Sequence, residues 1–366
     1  MGLNSQNRLP GLDGLRAISI AFVLAGHLAG TRYCIGPAAF PWYSSIATLG
    51  VRIFFVISGY LITTLLLKGY EKTGSISLRE FYKRRTLRIF PAFYSFLLVL
   101  IIGNYAGLIS FRPGDLVHAA TYTVNFHYDR SWWIGHIWSL SVEEQFYLLW
   151  PAVLVLLGIR RGLTVALWAV IAAPLVRLAV FYMLPSQRIG IGESFPTIAD
   201  TIATGCLLAG YGPWLQRQEL YQRILRSSWF GVIPLLAIRL AVRHEGRIQM
   251  AVGETLLNVA IALVIARCTS TKDGWVGRVL NCRPFVYIGV WSYSLYLFQQ
   301  LFLNRHSESL IATFPLNLVL TFCAALACHY CVEKPFLSLR DHKRKHARVG
   351  VAPLSAPGVA SRQSTP

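Results

Sequence analysis

Residues 12–30 read LDGLRAISIAFVLAGHLAG, an apolar run that nevertheless carries Asp13, Arg16 and His27. An ionisable side chain at the centre of a membrane helix costs roughly 2.5–3.5 kcal/mol even on the lenient insertion scale, so three in one run need a reason. Arg16 and His27 are eleven positions apart. On a helix that spacing leaves about 20° after three full turns and separates them by about 16 Å, so they share a face but cannot touch. Asp13 lies one turn before Arg16, within pairing reach. Chemically, His27 is a candidate general base and Arg16 a binding or gating group on a stripe that lines a cavity. The plainer alternative makes Asp13–Arg16 an interfacial anchor pair and His27 an interhelical hydrogen-bonder.

Two further stretches carry chemistry. FYKRRTLRIFPAFY places Arg85 and Arg88 three residues apart on one helix face. Guanidinium forks suit phosphates, so a phosphorylated cosubstrate such as coenzyme A fits here; a positive-inside anchor is the alternative. IWSLSVEEQFYLLWP sends Glu143 and Glu144 into an apolar helix, with Trp138 and Trp150 expected at the membrane interfaces. Adjacent carboxylates point about 100° apart, so one joins a given site while Ser139 or Ser141 suggests a capping role for the other. A buried carboxylate near His27 would orient the imidazole, and the residues alone leave Glu143 or Glu144 open for that part. Asp200, in IADTIATGCLLAG, reads as an unpaired acid in a span and invites a supporting role. Glu333-Lys334-Pro335 reads as a structural helix stop. No cysteine pair has zinc spacing with nearby histidines, so no metal is expected.

The elements that hold these groups are read from apolar windows of about 20 residues, the length that crosses a bilayer. They fall near 12–30, 46–67, 90–110, 140–158, 163–183, 197–211, 229–243, 251–268, 284–303 and 311–331. The chain is 54% hydrophobic and 14% charged, with a mean hydropathy of +0.49; a soluble domain carries about 25% charged residues. The expectation is an all-α polytopic bundle of about ten helices in a lipid bilayer. The net charge of +19 is assigned to cytoplasmic loops rather than to nucleic-acid binding. Its concentration in Lys68–Arg88, in Arg160 and Arg161, and beyond Lys334 puts both termini in the cytoplasm. The domain reading is 1–336 in the membrane and 337–366 as a basic, disordered cytoplasmic tail.

Together these stretches resemble the acyltransferase type 3 family of bacterial membrane O-acyltransferases. The resemblance rests on Asp13-x-x-Arg16 followed by His27, then FFVISGYLIT, RRTLRIFPAFY, WSLSVEEQFYLLWP, SYSLYL and VEKPF, in the family's order up to about Phe336. It implies a roughly ten-helix bundle in the cytoplasmic (inner) membrane. That bundle takes an acyl group, often acetyl, from acyl-CoA as cosubstrate, with no permanently bound cofactor. The acceptor is a carbohydrate hydroxyl; lipopolysaccharide, exopolysaccharide, peptidoglycan, Nod-factor oligosaccharides and macrolide sugars are acceptors in the family. It maps Arg16 and His27 onto the functional pair, Arg85 and Arg88 onto the basic pair, and Glu143 onto the acid of the fourth helix. Some relatives add an extracytoplasmic SGNH hydrolase-like domain; this chain ends without one, so transfer is expected to be completed by the membrane domain or by a separate protein. The chain departs from its relatives in the ninth span, where Phe298 and Gln299 follow the YSLYL run in place of a frequent His. Gln299 hydrogen-bonds but does not titrate near neutrality.

The resulting expectation has the CoA phosphates at Arg85 and Arg88 and the pantetheine arm passing Arg16. His27, oriented by Glu143, then takes the acceptor's hydroxyl proton. The rival class is a transporter or flippase for a lipid-linked saccharide, since intramembrane Arg, His and Glu also suit proton-coupled carriers.

Overall fold

The computed structural model describes residues 9, 11–36, 39, 42–243, 248–270 and 274–338. Every regular element among the described residues is helical. The main helices are α1 (Leu12–Leu28), α2 (Tyr43–Thr73) and α3 (Leu78–Tyr105), followed by the short α4 (Asp115–Ala120) and α5 (Trp132–Gly135). Then come α6 (Trp138–Met183), α7 (Phe195–Leu215), α8 (Glu219–Arg226), α9 (Val232–Arg243) and α10 (Glu254–Ser270). The chain continues with α11 (Trp275–Leu280), α12 (Arg283–Phe302) and α13 (Leu316–Cys328), the last prolonged through a π-helical turn, His329–Glu333. Most of the tail read as 337–366 lies outside the described residues, as does the extreme N-terminus.

Five helical segments are long and apolar enough to cross a membrane: Tyr43–Thr73, Leu78–Tyr105, Trp132–Met183, Gln249–Ser270 and Leu316–Ser338. A sixth is added if Glu219–Arg226 and Ser228–Ala241, bent by 76°, form one broken span. The chain is therefore a multi-pass membrane protein of all-α architecture. Each of the ten expected windows is centred on helix, but several fall short as independent spans. With 17 residues, α1 reaches about 26 Å against a hydrocarbon core of about 30 Å. The polar residues of α12, Ser292, Ser294, Gln299 and Gln300, lower its apolarity and are all buried. The windows 140–158 and 163–183 are the two halves of α6, whose 46 residues are interrupted at Gly158, with φ 78° and ψ 162°. Only glycine adopts that backbone at low cost, so the break falls where the sequence permits one.

Close helix packing rests on small residues. A methyl added at Gly59 of α2 would meet the carbonyl of Ile202 in α7, and one at Gly205 would meet that of Val56, so the two backbones touch. On the other side α1 packs against both α2 and α12. The start of α3 is capped by a serine: Ser77 Oγ accepts from the Glu80 N–H at 3.3 Å.

Three sequence readings are corrected. Trp150 is not an interface aromatic; it is buried, and its indole N–H donates to Thr63 Oγ1 at 2.9 Å. Ser139 and Ser141 do not cap, because α6 starts before both, at Trp138. Ser141 bonds back to the Ile137 carbonyl, and Ser139 Oγ lies 2.6 Å from the Tyr296 hydroxyl. Pro335 does not stop the last helix. Helix continues to Ser338, the preceding π-helical turn lying just before the proline.

Candidate active site

The candidate residues fall on two levels of the bundle. The expected ion pair forms at the lower level, Arg16 Nη1 lying 3.8 Å from Asp13 Oδ1. Gly50 of α2 packs on Ser19 and Val23 of α1. The helices are antiparallel, so descending α2 by one to two turns brings Phe55–Ser58 level with Asp13–Arg16. At this height the first half of α6 delivers its two glutamates. Glu143 Oε1 accepts from Ser58 Oγ at 2.6 Å, and the Tyr147 hydroxyl donates to the same serine oxygen at 3.0 Å. Glu144 faces α3, with Arg85 Nε 4.0 Å from its Oε1. The Arg85 guanidinium lies 3.5 Å from the Tyr147 ring centroid, a cation–π contact. Arg88, one turn beyond Arg85, is exposed, so the two arginines of the basic stretch have different surroundings.

The upper level is built around His27. Its Nδ1 lies 2.9 Å from the Val23 carbonyl. A carbonyl oxygen only accepts, so Nδ1 carries the proton and Nε2 of the neutral ring presents its lone pair. Trp132 meets the imidazole edge-on, with centroids 6.2 Å apart, and in turn meets His306 at 5.2 Å. Arg305 donates to the Gly26 carbonyl at 2.9 Å. Gln300 fixes this wall: its carbonyl accepts from Trp132 Nε1 at 3.1 Å, and its Oε1 accepts from the His136 backbone N–H at 3.1 Å.

His27 and Glu143 do not hydrogen-bond. The expectation that Glu143 orients the imidazole is corrected: Glu143 sits level with Arg16, and the Val23 carbonyl of His27's own helix does the orienting. Between the levels lie buried Ser139, Tyr296 and His136; the Tyr296 hydroxyl donates to the His136 carbonyl at 2.9 Å.

Asp200 is also corrected. It is not unpaired: Arg177 Nη1 lies 3.1 Å from each of its carboxylate oxygens, and Thr255 Oγ1 donates to it at 2.7 Å. Arg177 extends the network to Glu254 at 3.4 Å, and Glu254 pairs with Arg52 at 2.6 Å. Two arginines thus balance two carboxylates, joining α2, α6, α7 and α10. This is a structural crosslink away from the residues around His27.

The sequence reading missed Ser58, Tyr147, Trp132, Arg305 and Gln300. Ser58 sat inside the FFVISGYLIT stretch, but nothing local marks a serine as a carboxylate's partner. Two other quoted stretches meet: Glu333 of VEKPF accepts from Ser294 of SYSLYL at 2.6 Å, and His329 Nδ1 lies 2.7 Å from its other oxygen. Gln299 is fully buried, and neither of its amide atoms has a partner among the described residues.

The chain matches the model of the acyltransferase domain family over residues 9–333 and belongs to that family. It is 28% identical over 363 residues to the peptidoglycan O-acetyltransferase OatA of Listeria monocytogenes, covering 90% of this chain and 56% of the relative. It is also 28% identical over 362 residues to the O-acetyltransferase OatA of Staphylococcus aureus, covering 90% and 57%. The chain spans little more than half the length of these curated relatives. No solved structure matches it.

Proposed function

We propose that this chain is a membrane O-acyltransferase that moves an acyl group, acetyl in the first instance, from acyl-CoA to a hydroxyl of a cell-surface carbohydrate. The family membership and the relatives' names support the reaction class, and the name of the Listeria relative puts peptidoglycan beside lipopolysaccharide and exopolysaccharide among the acceptors to test. The observation that carries the mechanism is His27's fixed tautomer. With Nδ1–H held by Val23, Nε2 is the base. The acceptor oxygen attacks the thioester carbonyl carbon as Nε2 takes its proton. The carbon–sulfur bond then breaks, and the proton passes to the departing thiolate, giving an ester and free coenzyme A.

In this account Arg85 and Arg88, on the cytoplasmic part of α3, meet the coenzyme's phosphates, Arg85 beside Glu144 and Arg88 from its exposed position one turn further along. Glu143 and Arg16 border the passage that the pantetheine arm takes. Residues 1–336 form the membrane domain in the cytoplasmic membrane, with about ten crossings and both termini cytoplasmic. The test is mass spectrometry of surface glycans from cells with the protein, without it, and with His27→Ala. An acetyl-sized difference lost in both the null and the variant supports the proposal; unchanged glycans in all three overturn it.

A further inference from the structure

A cavity of about 450 Å³ opens between the first half of α2, α9 and the start of α10. It is not part of the His27 site. Gly26 of α1 abuts Tyr43 and Ala47, so that side of α2 faces α1. Ser45, Thr48 and Arg52, which line the cavity, are turned about 100–160° away from Ala47. The 12 residues of α9 reach about 18 Å.

The lining is chemically graded. Trp42, Ser44 and Thr48 stand near the start of α2, whereas Leu49, Leu235 and Leu257 form apolar walls. Arg52 is satisfied by Glu254. Arg239 also lines the cavity and is exposed, and no described side chain pairs with it. A guanidinium with no partner among the described residues, beside apolar walls and hydroxyls, suits a ligand with an anionic head and a hydrocarbon body. The outward side of α9 continues the apolar wall through Leu235 and Leu236, 68% and 58% exposed, so chains leave the cavity sideways.

We propose that this cavity is a specific binding site for an anionic phospholipid, its phosphate on Arg239 and the rim hydroxyls and its chains along Leu49, Leu235 and Leu257. The site stands independently of the acyl-transfer reading. The test is native mass spectrometry of the full chain in detergent, titrated with phosphatidylglycerol or phosphatidylcholine and with no acyl donor present. One guanidinium near a charged lipid surface corresponds to a roughly fivefold preference. Phosphatidylglycerol adducts should exceed phosphatidylcholine adducts by about that factor. The preference should vanish in Arg239→Gln and in Thr48→Trp, which plugs the rim. Equal retention of both lipids by the wild type, or an undiminished preference in both variants, overturns the proposal. Displacement of the lipid by soluble glycerol phosphate also overturns it, because the site would then be one for free phosphate.

Discussion

The Ser58 hydroxyl donates to Glu143 at 2.6 Å, and this bond ties the acid of α6 to the middle of α2 rather than to the histidine of α1. Ser58 also accepts from Tyr147, so one small side chain fixes both the carboxylate and the ring on which Arg85 rests. Ser58→Ala removes both bonds at once. A buried acceptor left without its donor costs about 1–3 kcal/mol. We expect a fall in turnover of at least tenfold, with partial rescue by Ser58→Thr, measured as acceptor-dependent coenzyme A release. Unchanged turnover in Ser58→Ala would remove Glu143's placement from the account.

Arg85 and Arg88 should separate experimentally. Arg85 stacks on Tyr147 and faces Glu144, an arrangement that needs a planar guanidinium, so Arg85→Lys should lower kcat strongly. Arg88 is exposed, so Arg88→Lys should act chiefly on KM for the acyl donor, by a few-fold. Equal effects of the two substitutions on kcat and KM would contradict the division.

Gln300 is a positioning residue for the histidine wall. Gln300→Leu removes the acceptor of the His136 backbone N–H and of its ring Nδ1, while the residue-300 backbone carbonyl still holds Trp132, so kcat should drop roughly tenfold with KM for the acyl donor little changed. A loss confined to thermal stability would reduce Gln300 to a packing role.

The Arg177–Asp200 pair predicts a stability phenotype. Both side chains are fully buried. Asp200→Asn leaves Arg177 undercompensated, and removing one partner of a buried pair costs about 3–5 kcal/mol. The purified variant should melt well below the wild type, with the residual folded fraction retaining normal turnover per molecule. A stable but inactive Asp200→Asn would instead place this carboxylate in the chemistry.

The division between what was legible and what was not follows from the range of each interaction. Helical periodicity and apolar length are local, so the elements were readable, and so was the Asp13–Arg16 pair, one turn apart. The partner of Asp200 was not: Arg177 lies 23 residues away, on another helix across a turn, and only packing brings them together. The same holds for Ser58 and Glu143, 85 residues apart. The orienting group of His27 was overlooked for the opposite reason. It is the carbonyl one turn back on its own helix, available to any residue type at Val23 and therefore without a sequence signature. Trp150 misled because the amphipathic ring that marks an interface serves equally well in a core when a hydroxyl such as Thr63 meets its N–H.

The central claim is that Nε2 of His27 takes the acceptor proton during thioester cleavage. It is tested most directly in proteoliposomes of the purified chain, supplied with acetyl-CoA and glycan acceptor, by following free coenzyme A and acetyl ester together. A positioned general base contributes about 10²–10⁴-fold. The account predicts stoichiometric release of both products by the wild type and a loss of at least a hundredfold in His27→Ala, with the fold intact. Turnover by His27→Ala close to that of the wild type, or acceptor crossing the membrane while the thioester stays unconsumed, would contradict it.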